Sequence, residues 1–299
     1  VQLRKFIQFA DLHCTESRPI ARLDDDWTET QRQAVRFIVD QAILRKCPVV
    51  GVGDIFDKPR AGTAVVVMLV QEFNRLKEHG LQFYLIAGNH DEKSATSATI
   101  HETSVGLLLE VFEKIPQIDG VQDAQHFGDD NPTGAPVWFT HQLIFKDAAS
   151  KPPLAKGLTA QELLDANPSA KWIFTGDYHH QFDHIGPDGR RVVNTGNVVA
   201  HNASMIEVDA NCAHIDLDAE TVEWIKIPDD PAMLTREHLD KVEERESRLE
   251  AFLEKAKEAG GVELTFAGKL EARMGLEDIT QGVHAAYVAV KERATKGEP

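Results

Sequence analysis

The chain has 299 residues, 42% hydrophobic and 27% charged, enough apolar material for one large domain or one domain with an appendage. Its formal net charge of −16 argues against a broad phosphate-coating surface, yet leaves room for a nuclease, because divalent ions supply local positive charge at an acidic site. No apolar run approaches the roughly 18 residues of a membrane span, no charged-then-apolar leader is visible, and Cys14, Cys47 and Cys212 form neither a zinc pattern nor a disulfide framework, which together suit a reducing cytoplasm.

Residues 5–10 read as a short strand running into Asp11-Leu12-His13, two ligand types on one loop. Asp24, Asp25 and Asp26 read as a solvated acidic turn. Residues 28–46 read as an amphipathic helix, with Ala34, Val35, Ile38, Ala42 and Ile43 on one face and Pro48 as the stop. A second buried strand, 49–53, delivers Gly53-Asp54-Ile55-Phe56-Asp57. Residues 62–79 form a helix that is apolar nearly all round from Ala64 to Val70, so it is either buried on every side or turned towards another subunit. Residues 83–87 are the third buried strand and end abruptly in Gly88-Asn89-His90-Asp91, a group that packing alone does not ask for.

Residues 94–102 read as a polar loop over the site, 105–112 as a second strongly apolar helix, and 120–136 as hairpins or loops rich in Gly, Asp and Pro. A strand at 137–140 ends in His141. A flexible loop at 146–157 and a short helix at 159–166 lead to a strand at 171–175 that ends in Gly176-Asp177-Tyr178-His179-His180. Short strands alone follow at 181–185, 190–194, 205–208, 214–217 and 222–227, with Pro187-Asp188-Gly189-Arg190 as a hairpin turn. Pro228-Asp229-Asp230-Pro231 reads as a boundary. Beyond it lie a long charged helix at 235–259, Gly260-Gly261, a short strand near Leu264 and a helix at 276–294.

Five strand ends therefore carry Asp11 and His13, Asp54 and Asp57, Asn89 and His90, His141, and Asp177 and His179. In open α/β sheets a site forms outside the carboxyl ends of the strands, so these loops converge on one edge. Mixed Asp, His and Asn donors suit Mn, Fe or Zn. They outnumber what one ion needs, and two ions about 3.5–4 Å apart sharing a carboxylate are the economical arrangement.

In order and strand context these motifs resemble the calcineurin-like metallophosphoesterase superfamily, over roughly residues 3–227. The resemblance implies an α/β fold, a four-layer α/β/β/α sandwich over residues 1–227, with a small, mostly helical appendage at 228–299 for capping or partner binding. It implies Asp11, His13, Asp54 and His179 on a first ion, and Asp54 as the bridge, with Asn89, His141 and Asp177, on a second. His90 would be a general acid or electrostatic stabiliser oriented by Asp57. A metal-activated bridging water would attack phosphorus in line while His90 assists the departing oxygen. One departure stands out: the family ends in Gly-His-x-His, and here the first His is Asp177. A carboxylate can still ligate, and its added charge favours Mn2+ over Zn2+. His180 belongs behind the ligands or on the surface. The remaining histidines match no motif and read as structural or exposed, His184 and His201 being the two set apart.

Within the superfamily, Gly-Asp-Ile-Phe-Asp followed by Lys58-Pro59, together with Gly-Asn-His-Asp, resembles the SbcD-type DNA repair exonucleases more than the phosphoprotein phosphatases. Asn194-Thr195-Gly196-Asn197 lies where that branch has a Pro-Gly-Ser turn. This implies manganese-dependent hydrolysis of DNA, a homodimer through helices 62–79 and 105–112, and an SbcC-like ATPase subunit as partner. Arg18, Arg22, Lys58, Arg60 and Lys93 are the candidate DNA-facing cations. The alternative is a small-molecule phosphodiesterase or phosphatase acting on a nucleotide or lipid precursor, which the acidic balance favours. A partner-binding scaffold with a vestigial centre is a third reading, suggested by Asp177 alone.

Overall fold

The computed structural model describes residues 3–93, 97–114, 121–123 and 135–251, except 238, 242, 243, 246, 249 and 250. Two sheets carry the fold. At the centre of the first, β1 (Lys5–Phe9), β2 (Val49–Val52) and β3 (Phe83–Ile86) run parallel. β4 (Glu113–Lys114) extends one side in parallel, and β12 (Asn211–Asp216) and β13 (Thr221–Lys226) extend the other as an antiparallel hairpin, giving the order β13-β12-β1-β2-β3-β4. The second sheet comprises β5 (Val121–Asp123), β6 (Val137–Phe139), β9 (Trp172–Thr175), β10 (Phe182–Ile185) and β11 (Arg191–Asn194), in the order β10-β11-β9-β6-β5. All its pairings are parallel except β10 with β11. A two-stranded ribbon, β7 (Ile144–Phe145) with β8 (Leu158–Thr159), stands apart.

The period of two along a strand sorts side chains into layers. From the first sheet, Ile7, Phe9, Val49, Phe83 and Leu85 join a core with α1 (Trp27–Arg45), α2 (Thr63–Glu78) and α3 (Ser104–Val111). The alternate residues Phe6, Val50, Val52, Tyr84 and Ile86 join Phe139, Trp172, Phe174 and Val193 of the second sheet. Trp138, Ile173 and Val192 face the other way, into a core with Ala160, Leu163 and Leu164 of α4 (Ala160–Ala166). The layers are therefore α/β/β/α, as the family resemblance implies. The strands that end in candidate ligands run parallel to one another within each sheet, which brings the carboxyl ends of β1, β2 and β3, and of β6 and β9, to one edge of each sheet.

Local chemistry explains where the sequence expectations shift. Asp26 is the N-cap of α1, accepting from the Glu29 amide at 3.0 Å, and Lys46 ends the helix with φ 53°. Asp24 is only 7% exposed and ion-paired to Arg22, so of the run 24–26 only Asp25 and Asp26 are exposed. The strand expected at 205–208 is replaced by a 3-10 turn, Ala203–Met205. There the Asn202 side chain accepts from the Ser204 amide, and the amides of Met205 and Val208 bond to Asn202 and Met205, so turn bonds claim the backbone groups a ladder would use. Part of the loop expected at 94–102 is a 3-10 helix, Ser97–Glu102. Helix α2 buries Val65, Met68, Leu69, Phe73 and Leu76, but Val67 is 45% exposed, so it is not covered on every side. Among the described residues no helix is long and apolar enough to cross a membrane.

The chain divides into two compact units, Val1–Thr235 and Arg236–Pro299. Segment 228–235 packs within the first, where Leu23 donates its amide to Met233 at 2.8 Å and Thr235 donates to Ala21 at 2.8 Å. In the second unit the described positions from 237 to 251 are helical, with a Lys241–Glu237 pair at 2.8 Å one turn apart. The strand near Leu264 and the helix at 276–294 lie outside the described residues.

Phe6 joins the two sheets, its ring centroid 5.7 Å from that of Phe139 and 5.2 Å from that of Phe174. Phe6→Ala is expected to cost about 3–5 kcal/mol of stability, read as a lower urea midpoint at unchanged slope.

Candidate metal centre

The loops after β1 and β2 are laced by their backbones. The amides of Asp11, His13 and Cys14 donate to the carbonyls of Gly53, Asp54 and Ile55 at 3.2, 2.9 and 2.9 Å. This lacing holds three non-glycine residues in the left-handed region, Asp11 (φ 53°), His13 (φ 46°) and Asp54 (φ 49°), and Asp177 after β9 shares it (φ 70°). Such conformations cost about 1–3 kcal/mol each and persist only where their surroundings impose them. Two glycines make the close approach possible. A Cβ on Gly53, itself at φ 80°, would lie 2.2 Å from His141 Nδ1, and one on Gly88 would lie 2.2 Å from Asp54 Oδ1.

Each principal side chain spends one polar atom on the backbone and leaves another bare. Asp11 Oδ1 accepts from the Asp177 amide at 2.9 Å, while Asp11 Oδ2 is buried without a partner. Asp54 Oδ1 accepts from the His90 amide at 2.9 Å, while Asp54 Oδ2 is likewise bare. His141 Nδ1–H donates to the Val52 carbonyl at 2.8 Å, which leaves Nε2 as the free ring atom. Asn89 Oδ1 is the fourth such atom. His141 Nε2 faces Asp54 Oδ2 at 3.2 Å and Asp11 Oδ1 at 3.8 Å. His13 Nε2 lies 3.7 Å from Asp54 Oδ2 and 3.2 Å from His179 Nε2. Buried polar atoms without partners are costly, and a cluster of bare carboxylate oxygens and imidazole nitrogens at these separations fits divalent cations.

Among the described residues, three overlapping groups of donors have ligand atoms within 4.8 Å of one another: Asp11, His13 and His179; Asp11, Asp54 and His141; and His13, Asp57 and His90. The first two place Asp11 and Asp54 among three histidines drawn from both sheets. Asp177 belongs to none of the three groups; what it contributes to Asp11 is its amide, and its half-buried carboxyl is raised by burial. His90 is exposed, and Asp57 reaches it through the backbone carbonyl, which accepts from His90 Nδ1–H at 2.9 Å. His180 is exposed, and its ring lies 5.1 Å from that of Tyr178.

Burial drives the electrostatics. It pushes the Asp11 carboxyl well above the ordinary carboxylate range and lowers His13 and His179, keeping both imidazoles neutral, the form in which they ligate. Burial would also depress His141, but the adjacent Asp54 and Asp11 carboxylates outweigh it and raise this imidazole to about 10. Against its own burial, Asp54 is held below the carboxylate range by His141.

Two residues that the sequence displays without a role, Asp91 of the Gly88–Asp91 motif and His201, gain one from the fold. Asp91, fully buried, accepts from the amides of Ile55 at 3.0 Å, Phe56 at 2.8 Å and Gly88 at 3.0 Å, and so ties the loop after β2 to the loop after β3. His201 donates from Nε2 to the Leu12 carbonyl at 3.0 Å. Of the cations expected to face DNA, Arg22 is instead buried, paired with Asp24 at 2.7 Å and Asp229 at 3.1 Å. Lys93 is engaged by Glu102 at 2.9 Å, and Arg18 donates to the Asp24 carbonyl at 2.7 Å. Lys58 and Arg60 are exposed.

A two-sheet sandwich with Asp, His and Asn donors at its strand ends defines a metal-dependent phosphoesterase. The family profile described as calcineurin-like phosphoesterase matches residues 4–200, and the chain belongs to that family, whose members bind two divalent metal ions. No curated protein matches. Among solved structures the chain is similar to TT1561 of Thermus thermophilus, at 12% identity and TM-score 0.41, covering 76% of this chain and 100% of that one. It is similar to a dimetal phosphatase from Danio rerio, at 11% identity and TM-score 0.43, covering 76% and 99%. A metallophosphoesterase from Sphaerobacter thermophilus matches at 13% identity and TM-score 0.37, covering 91% and 100%.

Ions and protons compete for Asp11 and His141, whose proton affinities are raised by burial and by the neighbouring carboxylates respectively. Mn2+ affinity is therefore expected to rise with pH, about tenfold per unit for each proton released, and calorimetry in two buffers of different ionisation enthalpy measures that release. Asp91→Ala strands three buried amides. It is expected to cost about 3 kcal/mol or more in urea unfolding with chelator present, and to weaken Mn2+ binding in the variant that remains folded.

Proposed function

We propose that this chain is a two-metal phosphodiesterase of the SbcD-like kind that hydrolyses DNA. In this reading Asp11, His13, Asp54 and His179 hold one ion, and Asp54, Asn89, His141 and Asp177 the other. The observation that carries it is the set of four buried donor atoms that make no hydrogen bond, on Asp11, Asp54, Asn89 and His141. When bound, two divalent ions supply a nucleophile at neutral pH and neutralise charge on the phosphoryl oxygens. The oxygen-rich donor set, with Asp177 in place of a histidine, favours Mn2+. The DNA reading rests on the residue wording around Asp54 and His90, with Lys58-Pro59 after the second aspartate.

The chain's own residues divide the remaining work. The Asp57 carbonyl takes Nδ1–H of His90, which leaves Nε2 to face the departing oxygen; the imidazolium form of the ring donates its Nε2 proton there and is left neutral, with Nδ1–H still on the carbonyl. The exposure of His90 puts it where a polymeric substrate can reach. The amides of Asp177 and His90 orient the Asp11 and Asp54 carboxylates by occupying Oδ1 of each.

A second reading, hydrolysis of a small phosphodiester or phosphomonoester, gains support from the engagement of Arg22 and Lys93 within the chain and from the net charge of −16. The test is incubation with Mn2+ and end-labelled linear duplex DNA. Label release or laddering is expected, abolished by Asp54→Ala and lowered about 10²-fold or more by His90→Ala. Intact DNA beside brisk hydrolysis of bis(p-nitrophenyl) phosphate would move the substrate to small molecules. Near-parental activity in His90→Ala would remove the role given to that residue.

A further inference from the structure

Behind His13 the chain places two rings, His201 and Trp27, that the chemistry described so far does not use. His13 stands edge-on to His90, centroids 4.7 Å apart at 83°, and edge-on to His201, 5.6 Å apart at 78°. His201 in turn stands edge-on to Trp27, 5.5 Å apart at 82°. The Arg22 guanidinium lies 5.2 Å from the Trp27 ring centroid and is held by Asp24 and Asp229. Edge-to-face contacts and a desolvated cation over indole are directional, so each member restricts the orientation of the next.

One hydrogen bond connects this line to the backbone of the centre. His201 Nε2–H reaches the carbonyl of Leu12, 189 positions away in sequence, at 3.0 Å. Leu12 is the peptide between two left-handed residues, Asp11 and His13, both in the donor groups described above. A short segment with two unfavourable backbone conformations relaxes unless something outside it imposes the geometry. Loop 53–55 does so from one side through backbone bonds, and His201 does so from another.

We propose that His201 is a positioning residue for the metal centre: its Nε2–H bond to the Leu12 carbonyl, with its ring set between His13 and Trp27, holds Asp11 and His13 in ligating geometry. This rests on the metal-centre reading above, though not on DNA as the substrate. It predicts that a side chain of similar length bearing an N–H donor preserves the centre, whereas one of the same length without a donor does not.

The experiment compares His201→Gln with His201→Met in the full chain. Three measurements are made on each: Mn2+ affinity and stoichiometry by calorimetry, kcat and KM on bis(p-nitrophenyl) phosphate, and melting temperature with chelator present. His201→Met is expected to lose roughly tenfold or more in Mn2+ affinity and in kcat, with KM unchanged. His201→Gln is expected to stay near the parental values, and the two variants to melt together without metal. Should His201→Met fail to fold, His201→Phe, which keeps a ring and lacks the donor, takes its place against Gln. Equal behaviour of the donor and non-donor variants, whether both parental or both impaired, would overturn the proposal. A parental chain that binds two Mn2+ but leaves DNA intact removes the substrate assignment and leaves this inference standing. A parental chain that binds no Mn2+ removes both.

Discussion

Asp91 accepts three backbone hydrogen bonds, from Ile55, Phe56 and Gly88, in a place no water reaches. Those bonds lock two loops from neighbouring parallel strands into one rigid turn. The turn decides where Asp54 stands, and the amide of His90 then fixes which oxygen of Asp54 is left bare. Hydrogen bonds from uncharged donors to a buried carboxylate are among the stronger ones available to a chain. They explain how Asp54 keeps a left-handed backbone and an unpartnered oxygen at the same time. The order of dependence runs outward from Asp91: loop, the Asp54 carboxylate, then exposed His90.

The centre also shows how a fold tolerates charge without solvent. Asp11, Asp54, His13 and His141 are all buried, and the two carboxylates face backbone amides and histidine rings. The geometry of these donors suits cations from solution. Arginines pair with buried carboxylates elsewhere. Arg22 clasps segment 18–24 to the stretch that leads out of the first unit, and Arg36 and Arg75 hold Glu72 inside the helix layer.

Much of this is legible in the sequence. The period-two sorting of Phe6 from Ile7, or Tyr84 from Leu85, follows from short apolar runs bounded by Gly and Pro, and the two-layer core follows from it. The donors are legible because nothing in packing calls for Asn, His and Asp at the end of a buried strand. What stays hidden depends on partners far away in sequence. Arg22 looks like a surface cation until Asp229 is brought to it, and His201 looks unattached until Leu12 is. Asp91 stands in plain view beside His90, but its role depends on amides that begin 36 residues earlier, and backbone donors leave no mark in a sequence. At 205–208 a strand-like alternation loses to turn chemistry set by Asn202, a local competition that composition does not resolve.

The donors come from both sheets: Asp11, Asp54 and Asn89 follow strands of one, His141 and His179 follow strands of the other. An ion held between them is a rivet through the sandwich, joining halves of the chain more than a hundred residues apart, as the 166 positions between His13 and His179 illustrate. The spacing of the aromatic layer around Phe6, Phe139 and Phe174 and the bite of the ligands are then one mechanical quantity. A change deep in that layer is then felt at the donors, since the same two sheets carry both.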